Sequence, residues 1–109
     1  MINAGKEFRK GFFKLLDTFG GQIIIHKDFN CDNSSSYEVK GMKNHKKEDS
    51  SVVMFQFPEK IDVQVGDILQ QKNSSEFWKI YKIEEKIVTN IFVCFILYVN
   101  KIDSNSKPA

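Results

Sequence analysis

The stretch VQVGDILQQKNSSEFWKIYKI, residues 63 to 83, has more internal grammar than any other part of the chain. Apolar and polar residues alternate up to Val65. Gly66-Asp67 interrupts them, a polar run follows, and a new alternation opens on Phe77-Trp78. Period-two alternation punctuated by glycine, aspartate, asparagine and serine is the pattern of strands joined by turns. Glycine at 66 permits a bend, and Asp67 is able to bond its own backbone two residues on. Asn73-Ser74-Ser75 makes the next turn. Because successive side chains point to opposite faces of a strand, Phe77 and Trp78 are separated. One belongs to a core; the other, with Tyr81 beyond it, is a candidate partner-binding surface.

Working outward, the same period recurs. Ile23-Ile24-Ile25, within Gln22 to Lys27, is a β-branched run suited to a pleated strand. Tyr37-Glu-Val-Lys-Gly41 alternates as a second strand. Val52 to Phe57 is a third, with Val53, Phe55 and Phe57 on one face, and Pro58 ends it. Ile61, Val63 and Val65 begin a fourth, Phe77 to Ile87 a fifth and Ile91 to Ile102 a sixth. The fifth leaves the core at Glu84, Glu85 and Lys86 and turns through Thr89-Asn90. The run IFVCFILYV, 91 to 99, is apolar without interruption. A spanning helix needs about 20 such residues, so this run reads as a central strand covered on both faces.

Before the strands the period is helical. Over Lys6 to Phe19, residues Phe8, Phe12, Leu15 and Phe19 fall in one narrow stripe, with Leu16 at its edge. Lys6, Lys10 and Lys14 lie opposite, with Asp17 among them. Gly20-Gly21 supplies the stop, since glycine readily takes the left-handed conformation that closes helices. Met1 to Lys6 lacks the pattern of a signal peptide. The expected architecture is mainly β, a single domain over 1–103. An N-terminal helix packs on a small antiparallel barrel or sandwich of five to six strands, and residues 104–109 form a flexible tail. Phe55, Val63, Ile80, Val93, Phe95 and Leu97 are expected in its core.

Composition narrows function mainly by exclusion. The chain has 109 residues, 41% apolar and 28% charged, with a formal charge of +2, too small to argue for nucleic acid by itself. Ten phenylalanines imply a core built on rings, or a core plus an apolar contact surface. Cys31 and Cys94 have no CxxC spacing and read as two reduced thiols of a cytosolic protein. His26 and His45 have no carboxylate at a telling spacing. Asp28 and Asp32 beside Cys31 would raise its pKa, the wrong direction for a nucleophile. His26, Cys31 and His45 lack the tight pairs of zinc sites. DFNCDNSSS (28–36) lacks the glycine and terminal glutamate of a calcium loop. Gly20-Gly21 closes a helix rather than opening one, so no phosphate cradle is read. No enzyme, cofactor, metal or membrane anchor is expected. The nucleic-acid alternative rests on Lys43, Lys46 and Lys47, with exposed rings as stacking platforms. Glu48 and Asp49 directly follow those lysines and weigh against it.

Three phrases taken together, Tyr37-Glu-Val-Lys-Gly41, Gly66-Asp67-Ile68-Leu69 and Trp78-Lys-Ile80-Tyr-Lys-Ile83, carry a resemblance. From Gly21 to Ile102 the chain resembles the head-closure and head–tail connector proteins of tailed bacteriophages. These read as a short helix, a strand, a Y-x-V-x-G strand, another strand, then "GD" with two apolar residues and an aromatic-x-V/I strand. Trp78 stands where a tyrosine is commoner, and the last strand is unusually apolar. The resemblance implies a small barrel without enzymatic role, assembling as a homo-oligomeric ring in the neck of a virion or made in the cytoplasm of a bacterial host. The residues alone support the broader class, a protein-binding module with an apolar patch or open sheet edges as its surface. An inhibitor or immunity-type protein falls in the same class.

Overall fold

The computed structural model describes residues 3–27 and 35–102. Helix α1 (Ala4–Phe19) precedes six strands: β1 (Gly21–Lys27), β2 (Ser35–His45), β3 (Val53–Phe57), β4 (Ile68–Gln71), β5 (Phe77–Val88) and β6 (Ile91–Ile102). They close into an antiparallel barrel in the order β1-β2-β3-β6-β5-β4. β1 seals it by pairing with β2 on one side and β4 on the other. The mainly β architecture with one N-terminal helix is therefore as expected, and of the two alternatives the barrel is the one realised. Cys31, with Asp28, Asn30 and Asp32, and the tail at 104–109 lie outside the described residues.

Period two decides what fills the barrel. Ile23, Ile25, Phe55, Phe57, Leu69, Trp78, Ile80, Phe95, Leu97 and Val99 point inward and form one cluster. Gly41 also faces inward, where any side chain would run into the ring of Phe57. Val63 packs against this cluster from outside any strand. The expected fourth strand at Ile61–Val65 is a loop, and the strand begins after the Gly66-Asp67 bend instead. Gly66 sits at φ 101°, a left-handed conformation that only glycine adopts freely. The Asp67 carboxylate, buried, accepts from the Gln64 amide behind it at 2.9 Å rather than from a residue ahead. Gly66 N–H donates to Ile80 C=O and Ile80 N–H to Asp67 C=O, so the bend is stitched to β5.

β6 is apolar on both sides because both are covered. Phe95, Leu97 and Val99 face the barrel interior, while Val93, Cys94 and Ile96 join Phe12, Leu16, Met42 and Met54 in a second cluster beneath α1. Of the expected core, Val93 belongs to this outer layer. Beyond the reach of β4, which pairs only with 77–79, the β5–β6 hairpin runs on as an arm. Its tip is Thr89-Asn90 with φ 48° and 64°, the twisted two-residue turn that matches the strand twist.

α1 docks along this arm with a face that the apolar stripe does not predict. Gly5, Phe12 and Leu16 are buried and Arg9 is half-buried, whereas Phe8 is 52% exposed, Leu15 48% and Phe19 71%. The stripe is thus split down its length. Two specific contacts select the face. At the arm's tip, Thr89 Oγ1 accepts from Gly5 N–H at 2.9 Å and lies 2.6 Å from Asn3 Oδ1, the helix cap. A side chain at Gly5 would meet the Val88 carbonyl, Ile91 and Thr89. One turn on, the Arg9 guanidinium donates to the carbonyls of Pro58 and Val93, both at 3.0 Å, pairs with Glu59 at 2.9 Å and stacks on Phe13 and Phe92. Gly20 ends the helix in an extended conformation, φ −75°, not the left-handed one expected. Glycine is needed there for space, since a side chain would meet the Leu16 carbonyl that its N–H bonds at 2.8 Å.

Two outcomes test this docking. Gly5→Ala should destabilise the fold by about 1–3 kcal/mol, as overpacking does, although alanine favours helix by itself. Arg9→Ala should cost about 1–3 kcal/mol, because it leaves two part-buried carbonyls without a charged donor. Urea unfolding followed by circular dichroism measures both, and neutral variants would show that α1 is not held by these contacts.

Candidate protein-docking groove

The split stripe on α1 leaves an apolar groove of about 880 Å³ between the helix and the barrel wall. Its helical bank carries Ala4, Phe8, Gly11 and Leu15. Its floor is Phe12, Met42, Val93 and Cys94, and Asn44, Gln56 and Lys86 form the far bank. The Lys86 ammonium sits 5.0 Å from the centre of the Phe8 ring, so a charged tip of one bank and a ring of the other meet across the groove. Each helix element here follows from its spacing. Residues 5, 9, 12 and 16 turn to the barrel, and residues 4, 8, 11 and 15, one position back, turn to the groove. Gly11 is notable because a Cβ there would meet nothing within 4 Å. The fold does not require glycine at that place, and glycine inside a helix costs about 0.5–1 kcal/mol relative to alanine.

The residues singled out by sequence for partner contact are not assembled into one surface. Trp78 is a barrel core residue, 7% exposed, edge-on to Phe55 at 6.1 Å. Its Nε1 has no hydrogen-bond partner among the described residues. Phe77 is half-buried beside His26, ring centres 6.0 Å apart. Tyr81 is exposed against Tyr98, on the outward face with Phe77 and Lys79, and β5 bulges beside it: the register slips between Ile80 and Lys82, so Lys82 is exposed as well. The alternation that places Phe77 and Trp78 on opposite faces holds, and it fails one turn of the pleat later.

The candidate nucleic-acid lysines are likewise separated. Lys43 is in register with Phe55, whose side chain faces inward, and holds its ammonium 5.2 Å from the centre of the Trp78 ring. Lys46 and Lys47 are exposed in the β2–β3 turn, where Asp49 takes the amide and hydroxyl of Ser51. Those bonds hold the Asp49 carboxyl below the usual carboxylate range. A fixed anion therefore stands beside the two remaining lysines. His26 Nε2 meets Gln70 Oε1 at 3.1 Å and His45 Nδ1 meets Ser50 C=O at 2.9 Å, at separate places. Among the described residues no group of three metal-ligating side chains gathers, and no helix is long and apolar enough to cross a membrane. Cys94 lies on the groove floor, 1% exposed, and burial pushes its thiol up.

The chain matches no family model, no curated protein and no solved structure. The connector phrases are placed as follows: Tyr37 and Val39 pack against the barrel interior, Gly66-Asp67 opens β4, and Trp78 and Ile80 fill the core. All three phrases contribute to the barrel itself. The groove escaped sequence reading because it depends on which face of α1 docks. Its one legible signal is the repeated 4-3-4 spacing, present twice on the same helix.

Two outcomes check this assignment. The fluorescence of Trp78, the chain's single tryptophan, should be blue-shifted and poorly quenched by iodide in the native protein; a red-shifted, quenchable signal would remove it from the core. In a Cys31→Ser background, alkylation of Cys94 should be slow in the native state and fast in denaturant. Its rate should begin to rise only above the usual thiol titration range, since a raised pKa delays the thiolate. Rapid native labelling would mean that the groove floor is open to solvent.

Proposed function

We propose that the protein is a non-enzymatic protein-binding module whose docking surface is the open flank of α1 with the groove beside it. One observation carries this reading. Phe8, Leu15 and Phe19 are large, apolar and exposed along one side of a single helix, while the barrel interior and the layer under the helix are filled without them. Clustered exposed apolar residues of this kind mark interaction sites rather than scattered surface hydrophobes. A subunit that joins other proteins, as in a phage head–tail connector, is one form of such a module. The three phrases quoted above support it. The closed barrel leaves few free strand edges for a ring to use: along the arm, β5 beyond Lys79 and β6 over Ile91–Cys94 have no strand on their outer sides among the described residues. Along the β5 edge Lys82, Glu84, Glu85 and Lys86 supply the charges that discourage pairing.

Light scattering after size exclusion, with and without a mixed-sequence oligonucleotide, tests the class. Run at about 50 mM and about 500 mM salt, it should show no oligonucleotide-dependent shift, since phosphate binding is strongest at low salt and collapses as salt rises. A salt-sensitive complex that disappears when Lys43, Lys46 and Lys47 are neutralised would replace this reading with nucleic-acid binding.

A further inference from the structure

The open seam of α1 is complementary to itself. Its residues alternate in size: Ala4, Phe8, Gly11, Leu15. If two such helices run antiparallel, with residue 8 level with residue 11 of the other, every large side chain faces a small one. Phe8 meets Gly11 of the second copy, and Leu15 meets Ala4. The two-fold relation repeats both contacts. This is the knob-and-hole packing of a helical seam, and it gives Gly11 the role that the monomer does not: room for a ring and a close backbone.

Charge points the same way. The outer border of the seam carries Glu7 and Lys14. In that register Glu7 of one copy lies nearest Lys14 of the other, and Lys14 nearest Glu7. Neither makes an ion pair within the chain among the described residues, whereas the helix's Arg9 and Asp17 pair with Glu59 and Lys40 of the barrel. The seam that docks on the barrel is displaced by one residue, hence turned by about 100°, so pairing through the open seam leaves the barrel contacts of Gly5, Arg9, Phe12 and Leu16 in place.

We propose that α1 pairs antiparallel with the α1 of a second copy of this chain, through Phe8, Gly11, Leu15 and Ala4, with Glu7 and Lys14 bridging across the two-fold axis. The inference rests on the protein-binding reading and specifies one partner for it. A contact of this kind is isologous and closes at two subunits. A pair of helices of this length buries less than the roughly 800 Å² per partner of a standard stable interface, so the dimer is reversible and dilutes to monomer.

Sedimentation velocity from about 5 μM to about 500 μM brackets the affinity expected of so small a contact. The wild-type protein should pass from monomer to dimer over this range. Glu7→Lys or Lys14→Glu alone sets like charges across both bridges and should weaken dimerisation by about tenfold or more. The double variant E7K/K14E restores opposite charges by symmetry and should recover the affinity to within about threefold. Gly11→Ala should raise the melting temperature by a few degrees, through helix propensity alone, and yet weaken dimerisation. These two effects have opposite signs, so misfolding does not explain them. A wild-type protein that stays monomeric throughout, or a double variant no better than the singles, overturns the pairing. Neither result touches the broader protein-binding reading, which stands or falls on the oligonucleotide test.

Discussion

The fold depends on one strand being apolar on both faces. β6 contributes Phe95, Leu97 and Val99 to the barrel interior and Cys94 and Ile96 to its outside. A barrel satisfies only the inner row. Left alone, the outer row would expose a continuous apolar band, and each fully buried aliphatic or aromatic side chain there is worth about 1.5–3 kcal/mol. Phe12 and Leu16 supply the missing cover. The N-terminal helix is therefore a required second layer, and the site beside it exists because the cover is narrower than the helix's own apolar arc.

Apolar burial alone would have set α1 differently. Turned by about half a residue, it would hide more of Phe8, Leu15 and Phe19. What prevents this is polar: Thr89 holds the amide of Gly5, and Arg9 reaches the carbonyls of Pro58 and Val93. An amide or guanidinium bond in a half-buried place is lost outright when its partner moves by more than about an ångström, whereas apolar contact is tolerant of rotation. The directional bonds fix the angle and the apolar contacts follow it. Gly5, with no space for even a methyl group, makes the same choice sterically.

That competition also explains what was legible in the sequence. The barrel was, because strand period and turn residues act locally: Ile23 and Ile25 with Tyr37 and Val39, then Phe55 and Phe57, all take the faces that alternation assigns. The Thr89-Asn90 turn was legible for the same reason. Ile61, Val63 and Val65 alternate as well as any strand, yet they form a loop, because no partner strand lies beside them to take their hydrogen bonds. The register slip between Ile80 and Lys82 escaped because a bulge is a disagreement between two strands and cannot be seen in one. The docking face escaped because its determinants, Arg9 with Pro58 and Gly5 with Thr89, are pairs more than forty residues apart, and a stripe of rings records only the sum of what a helix will bury and what it will leave for others.

The latch at the arm's tip imposes an order of events on synthesis. Gly5 and Thr89 are separated by 84 positions, and the outer row of β6 comes later still. As the chain leaves the ribosome, α1 emerges before the strands, with both of its seams bare and nothing yet made to receive them. β1 likewise waits for β4, its second neighbour. Neither the barrel nor its cover is able to complete until β6 is out, and long-range closure of this kind is slow. For that interval the helix presents Phe8, Phe12, Leu15 and Leu16 together, and only β6, the last of the six strands, withdraws half of that surface.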